Sequence, residues 1–247
     1  SREDGSGTRS AFVELTGVED DNGDNTTVEA EIANKTDVVL TSVAGNAKAI
    51  GYVSLGSLND TVMAIQVDGV DATVDTVKSG DYKLSRPCNI ATKGEPTGVA
   101  KDFINFIMSA DGQANVEEEG YIKVNDEAED FTTDGSEGQI AVGGSSSVSP
   151  AMEKLIEAYQ AANPKAKIEL QTSDSTSGMT GAMDGTFAIG MASRELKDEE
   201  KAELTGTAIA LDGIAVVVNP ENTVTNLTMD QIKSIYVGET TDWADVA

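Results

Sequence analysis

Ser1-Arg2-Glu3-Asp4-Gly5-Ser6-Gly7-Thr8-Arg9 runs directly into Ser10-Ala11-Phe12-Val13-Glu14-Leu15. The glycines and small polar residues predict a turn. Phe12 and Leu15, three residues apart, predict a short helix over 8–15 with one apolar face. A helix start of this kind offers unpaired N–H groups and the positive end of the helix dipole, and Ser6 and Thr8 add two hydroxyls, so the stretch suits an anion. Arg2 brings a guanidinium just upstream and Asp4 a carboxylate. A loop this rich ordinarily follows a strand. Here only Ser1 stands before the arginine, so this loop is expected to be the least firmly anchored part of the site.

Working outward, the same grammar recurs. A strand over 139–142 leads into Gly143-Gly144-Ser145-Ser146-Ser147-Val148-Ser149-Pro150, which opens a helix carrying Met152, Leu155, Ile156 and Tyr159 on one face. Ser149-Pro150 reads as its N-cap and first helical residue. A strand over 167–170 leads into a third hydroxyl-rich turn over 172–178, which feeds a helix through Met179 and Met183. A strand over 188–192 ends at Ser193-Arg194. Any one of these turns is explained by ordinary capping. Three of them, with Arg2 and Arg194, make a set of neutral donors and two cations that suits a tetrahedral oxyanion.

The rest of the chain alternates short apolar strands (49–55, 62–67, 120–124, 211–219) with helical patterns (37–43, 73–78, 99–109, 197–204, 229–236), which predicts an α/β protein. Asp111-Gly112 reads as the break after the helix bearing Val99, Phe103, Phe106 and Ile107. Residues 82–92 are extended, and Pro87 within them fits only an edge or crossing strand. Residues 17–27 form an acidic loop. Its Asp20, Asp21 and Asp24 lack the alternating pattern and distal Glu of a calcium loop, so no metal site is expected. Residues 125–138 have linker composition.

Composition narrows the function. The chain has 247 residues, 39% of them hydrophobic, enough for one large domain or two lobes with real cores. A net charge of −26 argues against nucleic-acid and anionic-membrane partners, and any small anion must be captured by local geometry. The absence of histidine removes the commonest general base and metal ligand. The single cysteine, Cys88, reads as a buried structural thiol. No nucleotide P-loop and no nucleophile elbow occur. No apolar run approaches the ~18 residues of a membrane span and no secretory signal peptide is found. The expectation is a chain that is mature, trimmed or cut from something longer. The residues favour an anion site without catalysis and without a cofactor.

Arg2-Glu3-Asp4-Gly5-Ser6-Gly7-Thr8 resembles the signature of the extracytoplasmic phosphate-binding proteins of ABC-type phosphate importers. Similar family elements are 144–150, Ile189-Gly190-Met191-Ala192-Ser193-Arg194, Ala49-Ile50-Gly51-Tyr52-Val53 and Ser85-Arg86-Pro87. The resemblance implies a type II periplasmic-binding-protein fold, two α/β lobes closing over a dehydrated phosphate, with no catalysis and delivery to a membrane permease. It implies a protein held outside the cytoplasm and lipid-anchored in its precursor. Residues matching ligand-contacting positions are Arg2, Ser6, Gly7, Thr8, Ser146, Ser147, Ser177, Ser193 and Arg194, with Ser145 in support and Asp4 as the aspartate that pairs with the arginine.

Two departures accompany the resemblance. The order is rotated, as in a circular permutation or a slice across tandem copies. Residues 125–138 would then be the inter-repeat linker, and a short strand that feeds the arginine loop is missing. Many relatives also carry an aspartate, acceptor of the phosphate proton, where Arg194 stands, leaving Asp4 or Glu195 as the substitute. The expected lobes are 1–84 with 216–247, and 85–215. The competing readings are a phosphoester-acting enzyme sharing the anion pocket, and a cut half-module that is structural or exchanges lobes between two copies. A monomer is the expected state otherwise.

Overall fold

The computed structural model describes residues 1–246. In chain order its elements are α1 (Gly7–Thr16), β1 (Glu19–Asp20), β2 (Gly23–Asp24), α2 (Thr36–Ala44), β3 (Ile50–Ser54), β4 (Met63–Ala64), β5 (Gln66–Val67), α3 (Val74–Ser79), β6 (Ser85–Thr92), α4 (Gly98–Met108), α5 (Ala110–Glu118), β7 (Ile122–Lys123), β8 (Gly138–Ser145), α6 (Ser149–Ala162), β9 (Ala166–Ser173), α7 (Ser175–Asp184), β10 (Ile189–Ala192), α8 (Asp198–Lys201), β11 (Thr205–Val218), β12 (Asn226–Leu227) and α9 (Met229–Tyr236). The fold is mixed α/β, as the sequence pattern predicts. The chain divides into two compact units, Ser1–Ser85 with Gly213–Ala247, and Arg86–Asp212.

In the first unit the end of β11 pairs antiparallel with β3, from Ile214↔Ser54 to Val218↔Ile50, and with β4 on its other side. Helix α2 lies on β3 through Val39 and Val43. A Cβ at Gly51 would sit 2.9 Å from a methyl of each, so glycine there sets how closely helix and strand approach. These valines, Leu40, Val53, Ala215 and Val217 form the core. The expected strand over 62–67 breaks in two because its partners change. Ala64 and Met63 pair with β11, whereas Gln66 and Val67 pair in parallel with β12. A second apolar focus stacks Phe12 of α1 on Tyr52 of β3, ring centroids 3.9 Å apart, with Tyr236 of α9 edge-on to Phe12. A cavity of about 380 Å³ lies beside β3, lined by Ser1, Ala33, Val39, Val43, Gly51 and Tyr236 among others.

In the second unit β8 is parallel to both β9 and β10, and β10 is antiparallel to β6. Pro87 precedes the residues 89–91 that pair with β10, so its missing N–H costs nothing in that ladder. Helices α4 and α6 cover the sheet through Val99, Phe103, Phe106, Ile107, Met152, Leu155 and Tyr159, all buried. Two buried groups, Arg86 and Asp212, pair at 3.0 Å within this unit.

Asp111-Gly112 does not break the helical run. Ser109, in extended conformation, ends α4 and caps α5, its Oγ accepting from the Gly112 N–H at 3.2 Å. Gly112 is required because a Cβ there would meet the Phe106 carbonyl oxygen at 2.1 Å. Residues 125–138 carry no helix or strand before Gly138 but are not a loose tether. Phe131 packs on Phe106 and Tyr159. The buried Asp102 carboxylate accepts from Thr133 Oγ1 (2.7 Å), the Asp134 N–H (3.0 Å) and Tyr159 OH (2.8 Å). The acidic loop contains the β1–β2 hairpin. Asp20 accepts the Asn22 N–H and Asp24 accepts from Thr26 and Arg9.

Candidate oxyanion-binding turns

In the first unit, Ser6 caps α1 by accepting the Arg9 N–H at 3.3 Å, and Gly7 and Thr8 are buried in its first turn. The start of the chain is firmly held, contrary to the sequence expectation. Arg2 forms a parallel bridge with Ala33. The Ser1 N–H donates to Glu31 O, and the Ala33 and Glu3 N–H groups complete the pairing. Tyr52 OH accepts the Arg2 N–H at 3.3 Å and shares a 2.8 Å bond with Ser1 Oγ. Burial raises the pKa of the Tyr52 phenol.

Arg2 is 2% exposed. Its partner is not Asp4. Nε and Nη2 donate to the two oxygens of Glu3 at 2.8 Å each, and Nη1 donates to Thr36 Oγ1 at 3.2 Å. The Asp4 side chain is 99% exposed and pairs with Arg9, which also reaches Asp24 and the Arg2 carbonyl. Asp4 turns instead to Arg9, in the first turn of α1, which offers it a cation at 2.9 Å. The sequence contains Glu3 beside Arg2 but gives no sign that the neighbour, and not the residue two away, makes the fork.

In the second unit the parallel strands β8, β9 and β10 bring their carboxyl ends together, the edge where open α/β sheets gather ligand groups. Ser145 closes β8 and its Oγ donates to Ser193 Oγ, just past β10, at 2.8 Å. Ser193 N–H donates to Ser175 Oγ at 3.0 Å. Ser146 and Ser147 follow, both buried, with Tyr121 OH holding the Ser147 carbonyl at 2.7 Å. Gly144 has φ +134, and a Cβ there would lie 2.3 Å from Met191 O and 3.0 Å from Gly178 Cα. The glycines therefore let α7, β8 and β10 approach closely enough for their hydroxyls to meet.

Two residues sit differently from the sequence expectation. Val148, not Ser149, is the N-cap of α6. Ser149 Oγ instead bonds Ser145 O and Thr172 Oγ1. Ser177 is not brought to the hydroxyl cluster. It is exposed, and its Oγ donates to Asp174, the N-cap of α7, at 2.6 Å. The hydroxyl delivered to Ser193 is that of Ser175, fully buried. The hydroxyl-rich run 172–178 is visible in sequence. Which serine turns inward depends on where the helix begins.

Arg194 is also committed. Nη1 and Nη2 each donate to a Glu200 oxygen at 2.8 Å, Nη1 also to Glu195 O, and Nη2 also to Thr176 Oγ1 at 3.3 Å. The Arg194 bonds, with the Lys197 N–H, hold Glu200 below its ordinary pKa of 4.5 against the opposing effect of burial. Glu195 is exposed.

The chain has 43 Asp and Glu residues, yet no acid stands in the first turn of α1, α6 or α7. Helix α4 likewise has none, whereas α2, α3, α5 and α9 each carry one there and α8 carries three, where the helix dipole favours them. For α1 and α6 this leaves the positive end of the dipole and its hydroxyls without a competing carboxylate in the first turn. At α7 Asp174 takes the capping place. Among the described residues no group of three or more His, Cys, Asp or Glu could hold a metal ion, and no helix is long and apolar enough to cross a membrane.

Helix starts and hydroxyls gathered at strand ends describe a binding protein, and the sequence comparisons agree. The chain belongs to the PBP superfamily, whose domain model matches residues 1–111 and 131–247. It is 50% identical over 254 residues to the phosphate-binding protein PstS 2 of Streptococcus agalactiae serotype V, covering 100% of this chain and 86% of the relative. It is 46% identical to the phosphate-binding protein PstS 2 of Streptococcus pneumoniae serotype 4, covering 98% and 85%. In structure it resembles a phosphate-binding protein of a phosphate ABC transporter from Streptococcus pneumoniae TIGR4, with TM-score 0.81, 45% identity, and 100% and 98% of the two chains covered. The role this supports is substrate binding.

Proposed function

We propose that the chain binds inorganic phosphate reversibly, outside the cytoplasm, and delivers it to the membrane permease of an ABC phosphate importer, without catalysis. The observation that carries this is the Ser145–Ser193–Ser175 hydroxyl set at the carboxyl ends of β8 and β10, beside a helix start with no acid in its first turn. Hydroxyls and backbone N–H groups bind an oxyanion stripped of water without adding net charge. The ligand groups proposed are Ser6, Gly7 and Thr8 in one unit and Ser145, Ser146, Ser147 and Ser193 in the other, with Arg2 held in place by Glu3. The printed names of the streptococcal relatives support phosphate as the anion. The rotated order of the two family segments is part of the same reading. A lipid anchor in the precursor and a monomeric state complete it.

The test is titration calorimetry of the whole chain with inorganic phosphate, sulfate and a phosphate monoester. Phosphate bound at least tenfold more tightly than the other two is the expected result. Turnover of the monoester would establish the enzyme reading instead. No heat with any of the three would leave the half-module reading.

A further inference from the structure

We propose that Arg194 is a positioning residue, not an anion ligand, and that Glu200 sets anion selectivity by cancelling its charge beside the Ser193 hydroxyl. The proposal rests on the oxyanion-binding reading above. A guanidinium has five N–H donors. In Arg194 the four on Nη1 and Nη2 are taken by the two Glu200 oxygens, Glu195 O and Thr176 Oγ1. Nε is buried and has no hydrogen-bond partner. The fork that would grip an oxyanion is therefore occupied from inside the same unit. Glu200 is itself fixed, accepting the Lys197 N–H at 2.8 Å at the start of α8, and Asn89 Nδ2 holds the Arg194 carbonyl at 2.9 Å.

A buried ion pair is often only structural. What separates this one is what it holds. Arg194 follows Ser193 directly, and its Nη2 reaches Thr176 in the first turn of α7, one residue beyond Ser175. It thus ties together the two turns whose serines meet at Ser193 N–H and Ser175 Oγ. The chemistry follows from what each group can accept. A guanidinium only donates, so an uncancelled Arg194 would favour a fully ionised dianion such as sulfate. A serine hydroxyl both donates and accepts, so a site of hydroxyls can also receive the proton that phosphate carries at neutral pH. With Glu200 cancelling Arg194, selection falls to the hydroxyls, and neither the exposed Asp4 nor the exposed Glu195 is needed as acceptor.

The experiment measures phosphate and sulfate affinities at two salt concentrations for the wild-type chain, Glu200→Gln, and the neutral pair Arg194→Gln/Glu200→Gln, with thermal melts alongside. Glu200→Gln is expected to narrow the phosphate-to-sulfate ratio by about tenfold, chiefly through tighter sulfate binding with a steeper salt dependence. The neutral pair is expected to restore the ratio. A folded Glu200→Gln that loses both anions in parallel, or keeps the ratio, overturns the proposal. If Glu200→Gln does not fold, the neutral pair decides: a ratio within about threefold of wild type supports the proposal, and a larger change overturns it. A wild-type chain that binds neither anion overturns the phosphate reading itself, and this inference with it.

Discussion

Ser145 Oγ donates to Ser193 Oγ across 2.8 Å, joining the carboxyl ends of two parallel strands, β8 and β10. The residues are 48 apart in sequence, and only the sheet register brings them together. Ser145→Ala removes this bond and the acceptor for the Ser147 N–H. Phosphate affinity is expected to fall by roughly fivefold, equivalent to one ordinary hydrogen bond of about 1 kcal/mol. Calorimetry with a parallel melt checks it.

Ser175 and Ser177 should separate cleanly. Ser175→Ala leaves the buried Ser193 N–H without its acceptor, a loss of about 1–3 kcal/mol of stability together with weakened phosphate binding. Ser177→Ala removes an exposed bond to Asp174, and its effect on stability should stay within about 0.5 kcal/mol. Denaturant titration of both variants ranks them.

Asp102 fixes the acidic segment to the body of its unit. It accepts from Thr133 Oγ1, the Asp134 N–H and Tyr159 OH, and is 1% exposed. Asp102→Ala strands these donors and should cost about 3 kcal/mol. Limited proteolysis should then cut within residues 125–137 sooner than in the wild type, at a concentration of protease that leaves the rest intact.

Glu200 makes part of the stability acid-sensitive. Its folded-state pKa lies below the ordinary 4.5 because Arg194 and the Lys197 N–H favour the carboxylate. The contribution is therefore present above the unfolded value and lost as pH falls through the folded one. Melting temperature followed downward from pH 6 should decline below about pH 4.5 in the wild type, and less steeply in Glu200→Gln.

Cys88 is buried at 1% exposure, and burial drives its thiol pKa well above the ordinary range, with the Asp212 carboxylate adding to the rise. Thiol reagents at pH 8 should leave it unmodified in the native protein and label it once denaturant is added. Labelling of the native chain at the unfolded rate would place Cys88 at the surface.

The sequence by itself determined the local structure and the chemistry on offer. Apolar periodicity located α4, α6 and α9, and the runs at 49–55 and 188–192 located β3 and β10, because burial of one face is written at spacings of two to four residues. Glycine, serine and threonine clusters marked the turns, and the Arg-x-Asp-Gly-Ser-Gly-Thr element carried the family. The tertiary structure decided which groups meet. Ser109 could end one helix or start another, and its extended backbone does both. Linker composition at 125–138 did not reveal that Phe131 has an aromatic seat and Asp102 a set of donors waiting. Arg2 read as a cation paired with Asp4, and Arg194 as an open one, until the folded chain set Glu3 and Glu200 against them. Helix and turn preferences are set by near neighbours along the chain. The serine hydroxyls meet through register and packing between segments 18 and 48 residues apart, and even the near partners Glu3 and Glu200 are chosen by how the folded chain packs, which no local pattern encodes.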